Sequence, residues 1–517
     1  MTVSYTYNVE AYLSAAWTSI LTDVRTAPPI VFTRGLSGCE LADRVADVGT
    51  LDFALDNSAG NSGGKLGYYS PDHANLRTGF GIGMKTRLKV IYGGETYYKF
   101  YGKVTSAPPL PGQYRERYTS VQAVDFMNEL LVHNMALVPV QTGKKGNELL
   151  ATIVANLPTA PLATSYAAGP DTFAYALHDI QDENTSGMEA AQRVDQSGLS
   201  FTFVKGDLTG GETLTWQTRH TRSLAASVAS FSDTMTDLVI GYKADNKIYN
   251  TVKGKGFPVQ VGTVNEVLWS SRKEIVLEAD ASQTLDMPYT DPTGLGNRIA
   301  LSPGTGVTPE ADTDYKMSST SGGGNDLNAN LTFAVNTWGG NMANVTLTNG
   351  AAVTGYINIC QLRGKIIRLY DPVIATKTDE TSKSAYGDRA LTYVLPYQDS
   401  INVIDAFAAT MLDAKKDPHS DIDSLEFVAN KNDTLMKAAM TIDVGSRITI
   451  AETVSGISTD FFVNKYSLVF EPGILRCKLE NLEALTSTGA IGVWGTDASE
   501  ATWWGPGTDG VVGNWVF

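Results

Sequence analysis

Cysteine is scarce, with three in 517 residues: Cys39, Cys360 and Cys477, odd in number and far apart. No disulfide framework and no CxxC metal knuckle can be built from them, so they read as isolated buried thiols. Histidine is scarce too. His73, His133, His178, His220 and His419 form no HExxH or HxH spacing, so each reads as a loop or surface residue rather than a metal ligand. Charge is thin, at 18 % of residues, against about 25 % in an average soluble chain. Its balance is acidic, 40 Lys+Arg against 55 Asp+Glu, a formal charge of −15. A protein that grips phosphate backbones needs Lys and Arg to displace counterions, so that function is excluded, while a surface past which nucleic acid slides stays open. Long apolar runs are also lacking, and no membrane-spanning helix is expected. The start, MTVSYTYNVEAYLSAAW, has no Lys or Arg ahead of its apolar residues. It does not read as a signal peptide, and the expectation is a soluble chain made in the cytosol.

What is present is apolar mass. At 43 % hydrophobic residues the chain can bury large cores, which excludes general disorder. Gly 49 and Pro 20 lie near the average of about 12 % of residues, which excludes collagen and low-complexity readings. At about 150 residues per domain the length suggests three to four domains.

The first 120 residues read mostly as strands. Thr50 to Asp56 puts Leu51, Phe53 and Leu55 on one face, and NSAGNSGGKLG (57–67) is turn material. Thr86 to Tyr92 and Thr96 to Val104 form a hairpin across Gly93-Gly94, and Tyr118 to Val124 is another strand. Helical signals follow. Asn147 is expected to cap a helix that Pro158 stops. Ser186 and Glu189 form a capping box, with Gly198 just past that helix's end, before alternating Phe201 and Phe203, a GDLTGG turn, Leu214 and Trp216. From about 235 strands return, with turn residues Asp245-Asn246. Residues 282–350 are rich in Thr, Asn, Gly and Ser, as suits a peripheral β-insertion. A third helix, about Ser400 to Leu412, aligns Ile404, Phe407, Ala408 and Met411. Arg447 to Thr453, Phe461 to Phe470 and Ile474 to Leu482 read as strands.

Catalytic motifs do not emerge. Gly79-Phe80-Gly81-Ile82-Gly83 lacks GxGxxG spacing and precedes a strand rather than a helix. Gly64-Lys65-Leu66 is no phosphate loop, and no GxSxG elbow occurs. Asp421-Ile422-Asp423-Ser424 is too short for a calcium loop and reads as an acidic turn. The sequons at Asn184, Asn330, Asn344 and Asn432 read as chance matches. The expectation is no enzyme, no cofactor and no metal site.

One local feature remains. Trp494, Trp503, Trp504 and Trp515 crowd the last 24 residues among Gly, Thr and Asp. A Gly-rich tail cannot bury four indoles by itself, so they are candidate partner-binding residues, packing on the body, a partner subunit or a sugar.

LDFALDNS followed by YYSP and KFYGKVTSAPPLPG resembles the opening domain of minor tail proteins of long-tailed bacteriophages, the tail hub or baseplate hub family. MEAAQRVDQSGLSFTFVKGDLTGGETLTWQTRHTR resembles the small helix–hairpin domain of the same family. LRGKIIRLYDP with AYGDRALTYVLPYQ, and GSRITIAETVSGISTDFFVNKYSLVFEPG, are similar to the re-entry into its second barrel and the strands that finish it. The four strings fall in the family's order across most of residues 1–490.

The resemblance implies a mainly β fold with α+β parts. Two tail-tube-like β-barrel or sandwich domains would be accompanied by a small helix–hairpin domain and a β-rich insertion. The expected boundaries are 1–140 for the first tube-like domain, 141–222 for the helix–hairpin domain, 223–273 with 356–485 for the second tube-like domain, 274–355 for the insertion and 486–517 for the Trp/Gly-rich tail. It further implies a structural virion protein at the tail tip, a homotrimeric ring that continues the tail tube and lets DNA pass during ejection without specific binding. Partners would be distal tail or tail-tube proteins, the tape measure protein and other tail-tip or fibre proteins. The alternatives are a distal tail adaptor, which normally has one tube-like domain, a receptor- or carbohydrate-binding tail protein using the tryptophans, and a wall-degrading hydrolase, for which no domain is left over.

Overall fold

The computed structural model describes residues 3–484 apart from 112–116, 136, 170, 181–184, 234, 243–247, 293–298 and 419. The fold is mainly β, as expected. The first unit holds β1 (Thr6–Leu13), β2 (Ala16–Ser19), β3 (Ile30–Gly35), β4 (Asp47–Asp56), β5 (Lys85–Tyr92), β6 (Glu95–Ser106), β7 (Pro109–Pro111) and β8 (Arg117–Val124). In β4 the alternation buries Leu51, Phe53 and Leu55. Gly93 and Gly94, both at positive φ, turn the β5–β6 hairpin. The connection 57–84 is pinned from within. The Asp23 carboxylate accepts from the Ser62 amide (2.6 Å) and the Tyr69 hydroxyl, and Phe80 packs on Tyr69. The Gly79–Gly83 string is thus the lead-in to a strand.

Next come α1 (Met127–Val132), β9 (Gln141–Lys145), α2 (Gly146–Ala155), β10 (Ala163–Tyr166), β11 (Thr172–Ala176), α3 (Gly187–Gly198), β12 (Phe201–Gly206), β13 (Glu212–Gln217) and α4 (Arg219–Leu224). Two helix ends differ from expectation. Asn147 does not cap α2, which starts one residue earlier; the Glu148 carboxylate accepts from the Lys145 amide, and Asn147 accepts from Gly169 instead. At α3 the Ser186 hydroxyl does accept from the Glu189 amide (3.1 Å), but Gly198 is the last helical residue and Leu199 takes the left-handed conformation (φ +51°). Leu199 is buried, so packing outweighs the usual glycine preference there.

After β14 (Ser227–Ser232) and β15 (Asp237–Tyr242) the chain enters β16 (Thr251–Gly256); Asp245 and Asn246 lie outside the described residues. It then builds β17 (Val259–Ser270), β18 (Ile275–Leu277), β19 (Ser282–Pro288), β20 (Ile299–Leu301), β21 (Tyr315–Ser318), β22 (Leu331–Trp338), β23 (Met342–Asn349) and β24 (Gly355–Leu369). Strands β17, β18, β20 and β21 pair with β24, β23 lies between β19 and β22, and both sheets share one hydrophobic cluster. Then β25 (Val373–Thr378) and β26 (Ala390–Leu395) flank β16, with α5 (Glu380–Tyr386) between them. Helix α6 (Ile401–Lys415) covers that sheet with Ile404, Phe407, Ala408 and Met411.

The last elements are β27 (Ser420–Val428), α7 (Asp433–Thr441), β28 (Arg447–Ala451), β29 (Ser458–Phe462), β30 (Lys465–Glu471) and β31 (Ile474–Ala484). Residues 421–424, expected as an acidic turn, lie inside β27, because Ile422, Leu425 and Phe427 are all drawn into the core. With β14 and β15 these strands form a second β unit.

The two units repeat one plan. Sheet order β3-β4-β8-β6-β5 in the first corresponds to β15-β27-β31-β29/β30-β28 in the second, antiparallel at every step. The agreement reaches single hydrogen bonds. Gly83 donates to the Val104 carbonyl (2.7 Å) and Val104 donates to Met84 (2.9 Å); Gly445 donates to Val463 (2.7 Å) and Val463 to Ser446 (2.9 Å). Both glycines have positive φ, +84° and +75°.

Candidate functional site: the seam between the β units

The units are fused edge to edge. β3 pairs antiparallel with β30 from Ile30↔Phe470 to Gly35↔Lys465, and the sheet runs on through both units. Gly35 is at φ +134°, and a Cβ on it would stand 2.1 Å from the Asn464 carbonyl oxygen. Only glycine lets the two backbones approach this closely. Below the ladder Phe32, Phe100 and Tyr466 meet edge to face, all buried.

Buried charge ties further elements to this seam. Arg34, on β3, forms a two-pronged ion pair with Asp443 of the second unit, its Nε 3.0 Å from Oδ1. The same carboxylate accepts from the Gly206 amide (3.2 Å) on β12, so one side chain joins three parts of the molecule. Lys99 of β6 donates to the Ala439 (3.1 Å) and Met440 (2.8 Å) carbonyls at the C-terminal end of α7, where a cation complements the helix dipole. Burial pushes the Lys99 ammonium down to about 8. Tyr466 donates to the same Ala439 carbonyl, 2.7 Å away.

A second knot lies on α4. The Arg222 guanidinium stacks on Phe201 (3.9 Å) and Phe462 (4.7 Å), and donates to Asn464 and to Glu483 (3.1 Å). Arg44 lies 4.3 Å from the same Phe201 ring. Two buried carboxyls feel the Arg34 charge, Asp125 after β8 and Glu212 at the start of β13. Burial raises Asp125 to about 7; burial, and then the Asp125 charge, holds Glu212 well above the usual carboxylate range. Such a concentration of paired charge on apolar surface fixes orientation between units. It presents no nucleophile beside a base.

The residues singled out in the sequence do not converge on it. Trp494, Trp503, Trp504 and Trp515 lie outside the described residues, as do His419 and Asn184. His73 is in the 57–84 connection, His133 follows α1, His178 meets Tyr397 edge to face and His220 is on α4. Burial, with Arg219 beside it, lowers His220 to about 4. The three cysteines form no disulfide with one another: Cys360 and Cys477 are buried, and the half-buried Cys39 donates to the Asn481 carbonyl (3.4 Å). Asn432 caps α7, accepting from the Leu435 amide. Among the described residues no group of His, Cys, Asp and Glu could hold a metal ion, and no helix is long and apolar enough to cross a membrane. Arg34 and Asp443 escaped the sequence reading. The signal available was a charged residue inside each of two apolar strings, Arg34 in IVFTRG and Asp443 in AAMTIDV.

No protein-family profile matches the chain, and no curated protein matches its sequence. Solved structures do resemble it. The tail protein from Neisseria meningitidis MC58 matches at TM-score 0.48 and 10 % identity, over 92 % of this chain and 96 % of that one. The 43 kDa tail protein of prophage MuSo2 from Shewanella oneidensis matches at TM-score 0.45 and 10 % identity, over 91 % and 97 %. Prophage tail protein gp18 from Listeria monocytogenes EGD-e matches at 0.39 and 9 %, over 92 % and 94 %. The structural neighbours are phage tail proteins, as the resemblance read from the sequence leads one to expect.

Proposed function

We propose that this chain is a structural protein of a bacteriophage tail tip, a hub whose copies form a trimeric ring that continues the tail tube and lets DNA pass during ejection. The observation that carries the reading is the duplicated strand plan, two like units in one chain sharing one sheet. A distal adaptor normally needs only one such unit, so the duplication favours the hub. The seam supports a mechanical role. Its ion pairs and stacked guanidinium groups hold the units at one angle, as a load-bearing ring requires of each subunit. Distal tail, tube, tape measure and fibre proteins are the partners that follow from this position in the virion.

The formal charge of −15 supports a lumen that repels passing DNA. Mass by light scattering and low-resolution imaging test the reading: a three-fold ring with a central hole is expected, and a monomer that binds sugar would overturn it. Lysine in place of lumen-facing acids should slow genome release; unchanged ejection kinetics would remove the charge argument.

A further inference from the structure

The duplication carries a prediction about edges. In the seam, β3, the first strand of the repeated plan in the first unit, pairs with the outer edge of β30, the distal half of the second unit's long meander strand. Each partner has a counterpart. For β3 it is β15. For β30 it is the stretch that continues β6 through β7, because Val104 and Val463 occupy the same place. A row across the sheet fixes the alignment. Phe32, Leu51, Ala123 and Val104 pair in succession in the first unit. In the second, Ile240 pairs with Ile422 and Ile422 with Leu482, which neighbours the Phe462↔Glu483 pair beside Val463.

Both counterpart edges are uncovered. Among the described residues β15 has a ladder with β27 only, and β7 with β8 only. Burial records the difference. Ile30 and Phe32, covered by β30, are fully buried, whereas their counterparts Leu238 and Ile240 are half-buried. Val239 and Leu110 are 43 % and 41 % exposed. Stepping equally from the two valines, Leu110 stands where Val469 stands and Val239 where Val31 stands, and Val31 and Val469 are direct partners in the seam.

We propose that β15 of one chain pairs with the edge of residues 105–111 of a second copy, repeating between chains the β3·β30 seam made within each. This rests on the hub reading and names the surface by which copies join. The contact is head to tail, since the two edges differ, so it propagates into a closed ring or an open filament. Prolines enforce that asymmetry. In the seam the Asn464 carbonyl faces β3, so alternate positions from it, counterparts of Thr105, Ala107, Pro109 and Pro111, face outward. Pro109 and Pro111 have no N–H to donate, which stops two copies of this edge from pairing with each other. Their carbonyls still accept from β15, a strand without proline.

The test is the full chain carrying Leu110→Cys and Val239→Cys, oxidised and run without reductant, beside each single variant. Covalent oligomers larger than a dimer in the double variant, absent from both single variants, are expected. Val239→Lys should weaken self-association at least tenfold by light scattering with an unchanged thermal melt, since that side chain is exposed in the single chain. A ring seen by light scattering in which the double variant does not cross-link overturns the pairing and leaves the hub reading intact. A monomer at every concentration overturns both.

Discussion

The two β units share a strand plan and differ in what hangs on it. Between the first two strands of the shared plan the first unit has residues 36–46, whereas the second has 243–419, which carry the β16 sheet and the β17–β24 pair of sheets. Before the meander the first unit uses the 57–84 loop closed on Asp23, and the second uses α7. The ladders and the positive-φ glycine are kept because backbone pairing leaves little choice there, whereas connections run over the surface and accept any length. The difference teaches where rigidity matters. What α7 adds is a set of terminal carbonyls that take Lys99 from across the seam and Tyr466 from its own unit, so the second unit's connection is spent on holding the first.

Breaking that hold should produce the largest effect. Asp443→Ala leaves Arg34 buried and unpaired and takes an acceptor from Gly206, so about 3–5 kcal/mol of stability should be lost in urea unfolding. An equilibrium midpoint within experimental error of the parent would show that the seam does not depend on this pair. The counterpart glycines sharpen the comparison directly. Gly83→Ala meets no atom within 4 Å and should cost only the left-handed backbone penalty, about 1–2 kcal/mol. Gly445→Ala meets the Gln217 side chain at 2.5 Å and the Phe203 ring at 2.8 Å, and should cost about 3 kcal/mol. Equal losses at the two sites would mean that the docking of β12 and β13 on the second unit adds nothing.

Much of this plan is legible in the sequence because it is local. Leu51, Phe53 and Leu55 alternate, Gly93-Gly94 turns a hairpin, and Ile404, Phe407, Ala408 and Met411 recur at helical spacing; each is read within a dozen residues. The seam is not local. Arg34 and Asp443 are 409 residues apart, and Lys99 reaches carbonyls of α7, a helix the strand-rich reading of that region passed over. Residues 421–424 misled because two aspartates suggest solvent, while the alternation that buries Ile422 and Leu425 spans a bulge in the β15·β27 pairing. Two tube-like units are expected from the resemblance, whereas residue patterns alone do not match them to each other: they agree in hydrogen-bond register and in one glycine each, and scarcely in side chains.

The smallest expected effect concerns the buried carboxyls between the first unit and β13. Asp125 and Glu212 are both raised by burial, and the Asp125 charge raises Glu212 further. An acid whose pKa is higher in the folded state binds protons more tightly there. Its stabilising contribution is complete below the unfolded value and is lost as pH rises through the folded one, about 7 for Asp125. Stability should therefore fall by about 1 kcal/mol between pH 6 and pH 7, a change without a counterpart in the second unit, where the matched row puts Ala484 in the place of Asp125. Asp125→Asn keeps a neutral side chain of the same shape and should flatten this slope, with stability at pH 7 equal to or above the parent's. A slope that survives in Glu212→Gln and also in Asp125→Asn would place the proton elsewhere and leave the first unit's seam as insensitive to pH as the second's.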